Sequence, residues 1–453
     1  MEHINSVYLR GFFIKEEQMK DKTFFVKTGI NGRGVGFSHH EMELLKVLAN
    51  QKLLTGDLMR RYYETAVPIS KDGMRKRLAK WESKKIINLH DMTEGKNYRF
   101  GNPYKRVTIA NRGLNFLREH GYLDDDEYED AETSLINIDF QDHYFCTQNL
   151  AIELMVRLKN RGVDFESINP IKEFGKNRIN EKIELIPDWL LKSKDKNFYI
   201  ETDTATETQS IIKSKVERYI KVAELEPECT HIVFFSVIDD SADTLHIYSE
   251  HREKRVANIK QTLLNMPGIH MKNLHVIVTQ QSRSYDVAER SLISPLPLTN
   301  DFRQYEMQVA ILALEQNESF NYEIKELEMD DFVFKGLEEE FYPDGIFEIA
   351  NIAGTKRDNV AFVHMNEASA NSMDRLNILS KCVRDSRFTK RVDRIIAFYS
   401  GSEELKRDVF GCVFDNVLIS SQQDWAEEGR GGREPSFYKT KSNYRLEVTS
   451  FGE

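Results

Sequence analysis

Between residues 38 and 123 the apolar positions repeat at helical spacing, switch to strand spacing, and return to helical spacing. Ser38 is followed three residues later by Glu41, the signature of a capping box, and Leu44, Leu45 and Leu48 then mark one face of a helix. A second short helix is predicted after Thr55 (GDLMRRYYE), and a third over SKDGMRKRLAKWESKKII, where Met74, Leu78 and Trp81 form a single apolar stripe. Two strand-like runs, 97–100 and 105–110, flank a Gly/Pro turn, and NRGLNFLREHG closes the region as a helix. The acidic run DDDEYEDAE at 124–132 has almost nothing to bury and is expected to be an exposed linker. Beyond it, 139–162 has the pattern of a long amphipathic helix. The runs IELIPDWLL and NFYIET read as neighbouring strands, TETQSIIKSKVERYI as a helix and HIVFFSVI as a buried strand. The order is α-β-β-β-α-β.

The pattern then recurs. DFRQYEMQVAILALEQ parallels the helix that begins DFQDHYF, FYPDGIFEIA repeats the Pro-Asp strand, and DRIIAFYSG follows HIVFFSV. In this alignment Pro343-Asp344 stand for Pro187-Asp188, while His364 and Asn366 replace Glu201 and Asp203. Five elements in one order favour an internal duplication whose second copy has lost its acidic pair. That copy would serve DNA contact, pairing with the first copy, or a dimer contact. The loop IANIAGTKRDN would be an insertion between paired strands.

At 453 residues, with 40 % hydrophobic and 30 % charged, the chain has material for two or three packed domains. The absence of a membrane-length apolar run and of a leader pattern at the N-terminus leads to the expectation of a cytoplasmic protein. Four scattered cysteines without a C-x-x-C pair argue against a structural zinc site or a disulfide framework. A net charge of −10 excludes a chain that coats nucleic acid throughout, but the basic residues are clustered. Arg75, Lys76, Arg77, Lys80 and Lys84 surround the apolar stripe of the third helix, and Arg99, Lys105 and Arg106 lie in the strand region. Helix, helix, basic helix, β-wing, helix is the order of a winged helix-turn-helix, whose third helix enters the major groove of duplex DNA while the wing meets the flanking backbone. The C-terminal GRGGREPSFYKTKSNYR mixes basic and aromatic residues and reads as a backbone-tracking or flexible tail. Phosphate-loop, serine-hydrolase and His-apolar-His metal motifs do not occur.

Asp188 begins one strand, and Glu201 and Asp203 share one face at the end of the next. Two carboxylates so close repel unless a cation or donors lie near. This stretch resembles the PD-(D/E)XK nuclease-like fold, which implies hard oxygen ligands for Mg²⁺ or Mn²⁺ and phosphodiester cleavage. The resemblance gives Asp188, Glu201 and Asp203 as ligands. The family's lysine would occupy position 203, here aspartate, so Lys213 or Lys215 on the following helix is implied as the cation. A winged helix followed by Asp188, Glu201, Asp203, Thr206, Glu207, Lys215 and Tyr219, with His143 on the preceding helix, resembles over roughly residues 35–240 the replication-relaxation family of mobile-element proteins, related to the MOB-C relaxases. It implies a catalytic set of Asp188, Glu201, Asp203, Lys215 and His143.

The expected fold class is α/β (α+β), divided as a strand-rich extension 1–34, a winged helix-turn-helix 35–123, an acidic linker 124–135, a nuclease-like domain 136–298, a degenerate second copy 299–425 and a basic tail 426–453. The expected partner is double-stranded DNA at an origin-like or operator site, with no membrane and with a homodimer as an option. A metal-dependent nicking protein is the first reading. The alternatives are a non-catalytic replication initiator, accessory factor or transcriptional regulator on an inactive nuclease-like fold, and a protein-interaction module.

Overall fold

The computed structural model describes residues 23–26, 34–91, 105–132, 141–163, 165–170, 185–193, 195–242, 252–293, 300–442 and 444–452. The fold is mixed α/β and falls into two compact units. The first draws on residues 1–178 and Asp188–Leu191; the second draws on 179–187, 192–242 and 248–453. Most of the N-terminal extension and the strand expected at 97–100, with Arg99, lie outside the described residues.

In the first unit, strands β1 (Thr23–Val26) and β2 (Val35–Ser38) pair antiparallel and lead into helix α1 (His39–Gln51). Its capping box forms as the sequence predicts: Glu41 N donates to Ser38 Oγ at 3.3 Å, and Ser38 N to Glu41 Oε2 at 2.7 Å. A short β3 (Leu54–Thr55) precedes α2 (Gly56–Glu64), which Thr55 caps, and α3 (Lys71–Ser83), which Ser70 caps. Met74, Leu78 and Trp81 are the buried face of α3. The third helix was expected to run through Ile87 but ends at Ser83. Lys85 turns into the left-handed region (φ 57°) and Ile86 N reaches back to Trp81 O at 3.0 Å, so the chain reverses and buries both isoleucines. Ile87 then opens β4 (Ile87–Asp91), the antiparallel partner of β5 (Lys105–Ile109) in a sheet of order β3-β5-β4. Helix α4 (Asn111–Glu119) follows.

The acidic run is not a linker: it folds as α5 (Asp125–Glu132). Asp124 and Glu127 cap each other's backbone N–H at 2.7 and 3.0 Å, and the first-turn acids face the positive end of the helix dipole. Tyr128 fixes α5 to α4, donating to Asn115 Oδ1 at 2.9 Å and receiving the Arg118 guanidinium over its ring at 4.1 Å. Helix α6 (Gln141–Asn160) lies against α2 through the Arg61–Glu153 ion pair and Lys159 over the Tyr62 ring. Strands β6 (Glu166–Ile168) and β7 (Trp189–Lys192) are neighbours, linked by Trp189 Nε1 donating to Ser167 Oγ at 2.8 Å.

The second unit begins with β8 (Lys196–Asp203), β9 (Thr230–Val237) and β10 (Leu274–Gln280), which pair in parallel. Helices α7 (Gln209–Leu225), α8 (Glu253–Leu263) and α9 (Gln281–Ile293) alternate with them. The succession then repeats: α10 (Asn300–Glu315), β11 (Tyr322–Leu327), β12 (Gly345–Asn351), β13 (Arg357–His364), α11 (Ala370–Arg384), β14 (Arg394–Tyr399), α12 (Ser402–Arg407), β15 (Val417–Ser421) and α13 (Gln422–Arg430). Strands β13, β14 and β15 are parallel, as β8, β9 and β10 are. Ala205 and Ala368, equivalent in the sequence alignment, both sit at φ 68°, a conformation rare outside glycine. The expected insertion is a tight hairpin turn, closed by Asn351 accepting from Thr355 N and Lys356 N.

The C-terminal segment is not a free tail. Strands β16 (Phe437–Ser442) and β17 (Arg445–Thr449) complete a seven-stranded sheet of order β11-β12-β13-β14-β15-β16-β17. Buried Phe437 and Phe451 join Trp425 and Phe398 in the core on one face of this sheet; Met373, Leu376 and Leu379 of α11 fill the other. Within this unit, the β8–β10 and β11–β17 segments meet along a seam between β10 and α11. There Val276 N donates to Asn371 Oδ1 at 2.8 Å, His270 meets Asp374 at 2.8 Å, and fully buried Lys260 meets Asp408 at 2.6 Å.

His275 on β10 is buried. Desolvation, with the Lys196 charge adding to it, lowers its pKa from 6.5 to about 4, so it folds neutral. The unfolded chain binds the additional proton between those values, so its contribution to stability is complete above about pH 6.5 and is lost as pH falls toward about 4. Urea denaturation across this window should show the wild type losing on the order of 3 kcal/mol more than His275→Gln. Parallel stability curves would show that His275 does not fold neutral.

Candidate functional site

Five residues were expected to act together: Glu201 and Lys215 meet in the second unit, where Asp203 pairs with an arginine, and His143 and Asp188 meet in the first. Glu201 lies near the end of β8, 2 % exposed, where alternation turns it inward. Its carboxylate is held from α7, because Lys215 and Tyr219 are one helical turn apart and reach the same side. Lys215 Nζ donates to Glu201 Oε2 at 2.9 Å and Tyr219 Oη to Glu201 Oε1 at 2.5 Å. Lys215 also pairs with Glu207 Oε1 at 2.8 Å, so one ammonium spans two carboxylates. Lys215, rather than Lys213, is thus the cation that meets Glu201.

Asp203 is bound differently. Arg255 of α8 forms a two-pronged pair with it, Nε to Oδ2 at 2.7 Å and Nη2 to Oδ1 at 2.9 Å, and Nη2 also reaches Glu207 O at 2.7 Å. The hydrogen bond to Asp203 is the main reason that the Arg255 pKa is raised, outweighing its desolvation. Oδ1 of Asp203 further accepts from Ala205 N at 3.1 Å, closing the turn at the left-handed Ala205. Arg255 was missed from the sequence because it lies far along the chain and carries no local motif. In the first unit, His143 Nε2 of α6 is 3.0 Å from Asp188 Oδ2 at the start of β7.

The second copy rebuilds this location with arginine. Asp344, buried before β12, accepts from His364 N at 2.6 Å and from Arg375 Nη2 at 2.8 Å, and lies 3.2 Å from Arg303 Nε. Burial, reinforced by Arg375, lowers Arg303 to about 10. His364, aligned with Glu201, is held neutral by burial at about 4 and meets Ser400 Oγ at 3.1 Å. Ser400 and Gln422 both donate to Glu306 Oε2, at 2.5 and 2.6 Å. Two guanidinium groups thus flank the Asp344 carboxylate.

The basic residues assigned to DNA separate in the same way. Lys76 and Lys80 are exposed on α3, and Arg75 is exposed with only an i,i+3 partner, Asp72 at 3.3 Å. Lys84 is half-buried. Arg77 departs from the expectation: it turns inward to Glu41 Oε1 at 2.6 Å and Tyr63 Oη at 2.8 Å, bracing α1 and α2. Arg106 also departs from it, half-buried over the Phe145 ring at 5.3 Å, its pKa lowered by desolvation. Lys105 begins β5. No helix among the described residues is long and apolar enough to cross a membrane.

Replacing Asp344 with Asn should cost about 3–5 kcal/mol in urea denaturation, since two buried guanidinium groups lose their counter-charge. The same change at Asp188, a partly exposed partner of His143, should cost no more than about 1 kcal/mol. Similar losses would mean that the arginines do not define the second location.

Among known proteins, the model of the replication-relaxation family matches residues 45–238. No curated protein matches the chain, and no solved structure does.

Proposed function

We propose, starting from the match of residues 45–238 to the replication-relaxation family, that this protein binds duplex DNA through α3 and nicks it with the help of a divalent cation. On this reading residues 35–123 are a winged helix-turn-helix, and the two α/β copies are PD-(D/E)XK-like, the second inactive. The observation that carries the proposal is Glu201: a buried carboxylate at a strand end, held by Lys215 and Tyr219. Lys215 is shared with Glu207, and Tyr219 adds a second donor to the same carboxylate.

The fit of Mg²⁺ or Mn²⁺ can be judged from the oxygens. Glu201 presents carboxylate oxygens, the donor type that hard ions take, and Lys215 and Tyr219 fix their position. Both Asp203 oxygens are engaged by Arg255, so Asp203 is assigned to positioning the turn rather than to the ion. The ligand proposed in the second unit is therefore Glu201; in the first unit, His143 orients Asp188, which the sequence pattern also gives as a ligand. A bound ion would polarise the scissile phosphate and acidify a water. Lys215 supplies positive charge beside Glu201, which is the role of the lysine absent from position 203. Tyr219 fixes the carboxylate plane.

Supercoiled plasmid carrying the element's own origin should be nicked by the wild type with Mn²⁺ and left intact with EDTA. Glu201→Gln and Lys215→Ala should each lower the rate by at least about 100-fold without loss of duplex binding. Bound but uncut DNA with the wild type would establish the second reading, a non-catalytic initiator or regulator. That reading is favoured by the Asp203–Arg255 pair and by the arginine-filled second copy.

Fluorescence anisotropy with origin duplex tests the DNA-binding face. Replacing Arg75, Lys76 and Lys80 together with Ala should reduce the slope of log affinity against log salt by about 3 and weaken binding at physiological salt. Arg77→Ala should instead lower stability. An unchanged salt slope in the triple variant would remove α3 from the interface.

A further inference from the structure

The turn between α7 and β9 reads Glu226-Pro-Glu-Cys-Thr-His231, and it folds so that three donors of different chemistry converge. A carboxylate oxygen of Glu226, Sγ of Cys229 and a ring nitrogen of His231 all lie within 4.8 Å of one another. In a tetrahedral zinc site, bonds of about 2.0–2.3 Å put ligand atoms roughly 3.3–3.8 Å apart. The observed cluster needs to contract by only about an ångström to reach that geometry.

The turn is already braced in this form. Asn273 Nδ2 donates to the carbonyls of Ala223, Glu226 and Cys229 at 2.9, 3.3 and 3.2 Å. Cys229 N donates to Glu226 O at 3.1 Å, and His231 N to Asn273 O at 2.7 Å. His231 is fully buried, and its Nδ1 is 3.0 Å from Tyr199 Oη. That is the outer hydrogen bond by which a metal-bound imidazole is usually oriented, leaving Nε2 for the ion. At present Nε2 lies 3.2 Å from Glu226 O, a bond that metal binding would exchange.

A fourth group lies beside the cluster. Asn197 is 5 % exposed and its side-chain nitrogen is 3.4 Å from Glu226 Oε2, while its Oδ1 is buried without a hydrogen-bond partner. A buried amide oxygen left unmatched costs stability unless something occupies it. An ion held by Glu226, Cys229 and His231 would do so.

We propose that Glu226, Cys229 and His231, with Asn197 Oδ1 as the fourth ligand, bind a transition-metal ion of borderline softness, Zn²⁺ foremost. Thiolate and imidazole select against Mg²⁺ and Ca²⁺, which take oxygen. The site is therefore separate in chemistry from the one assigned to Glu201. It closes the C-terminal end of α7, the helix that carries Lys215 and Tyr219, and so would anchor the donors that hold Glu201.

The full chain, stripped with EDTA, should take up one Co²⁺ with a thiolate-to-cobalt absorption band, and Zn²⁺ should bleach that band. Cys229→Ser should abolish it and Cys412→Ser should keep it, with circular dichroism unchanged in both. Asn197→Ala should weaken uptake by about tenfold. If Cys229→Ser fails to fold, alkylation of the wild type decides: Zn²⁺ should slow modification of Cys229 at least about tenfold, and Mg²⁺ should not. Absence of the cobalt band, its survival in Cys229→Ser, or an alkylation rate indifferent to Zn²⁺ would each overturn the proposal.

Discussion

The second unit depends on a charge buried where charge is costly. Lys260 of α8 is fully buried, its ammonium 2.6 Å from Asp408 Oδ1. Taking both ions out of water costs several kcal/mol each, so the pair persists only if the remaining lone pairs are satisfied. They are satisfied: Asp408 also accepts from Tyr399 Oη at 2.7 Å, Ala368 N at 3.0 Å and its neighbour Val409 N at 2.8 Å. Lys260 belongs to the first copy and Asp408, Tyr399 and Ala368 to the second, so neither copy can satisfy its own half. Glu367 repeats the logic nearby, bridging to Arg283 and Arg290. Directional polar bonds of this kind fix one docking geometry where apolar packing alone would tolerate several.

The two copies show alternative solutions to one electrostatic problem. Each places an aspartate after proline at a strand start. In the second copy Arg303 and Arg375 neutralise Asp344 permanently, and a neutral histidine stands where the glutamate would be. Around Glu201, one ammonium, Lys215, is shared between Glu201 and Glu207. A planar guanidinium fork holds a carboxylate in one geometry, whereas an ammonium is a point charge that two carboxylates can share.

Local pattern carried much of this into the sequence. Ser38 with Glu41 marked a helix start that forms, and the strands ending at Lys192 and Asp203 and the helix bearing Lys215 were legible from periodicity and β-branched content. Residues such as Asp124 were misread because composition hides a reciprocal cap; the acids that suggested a linker are the ones that start the helix. Strand β4 was hidden because Ile86 and Ile87 continue the apolar spacing of α3, and only the left-handed Lys85 separates them. Arg77 and Arg255 show the deeper limit. A cation's sequence position does not say whether it faces solvent or a carboxylate brought near by folding.

Helix α11 is enclosed nearly all round, with Asn371, Asp374 and Arg375 among its buried side chains. Duplicated segments usually stay separable, so that one can be lost, exchanged or recombined. Here the second copy's helix has become part of the first copy's wall, and its polar side chains have no value outside that place. A change in α11 is therefore also a change in the surroundings of β10 and His270.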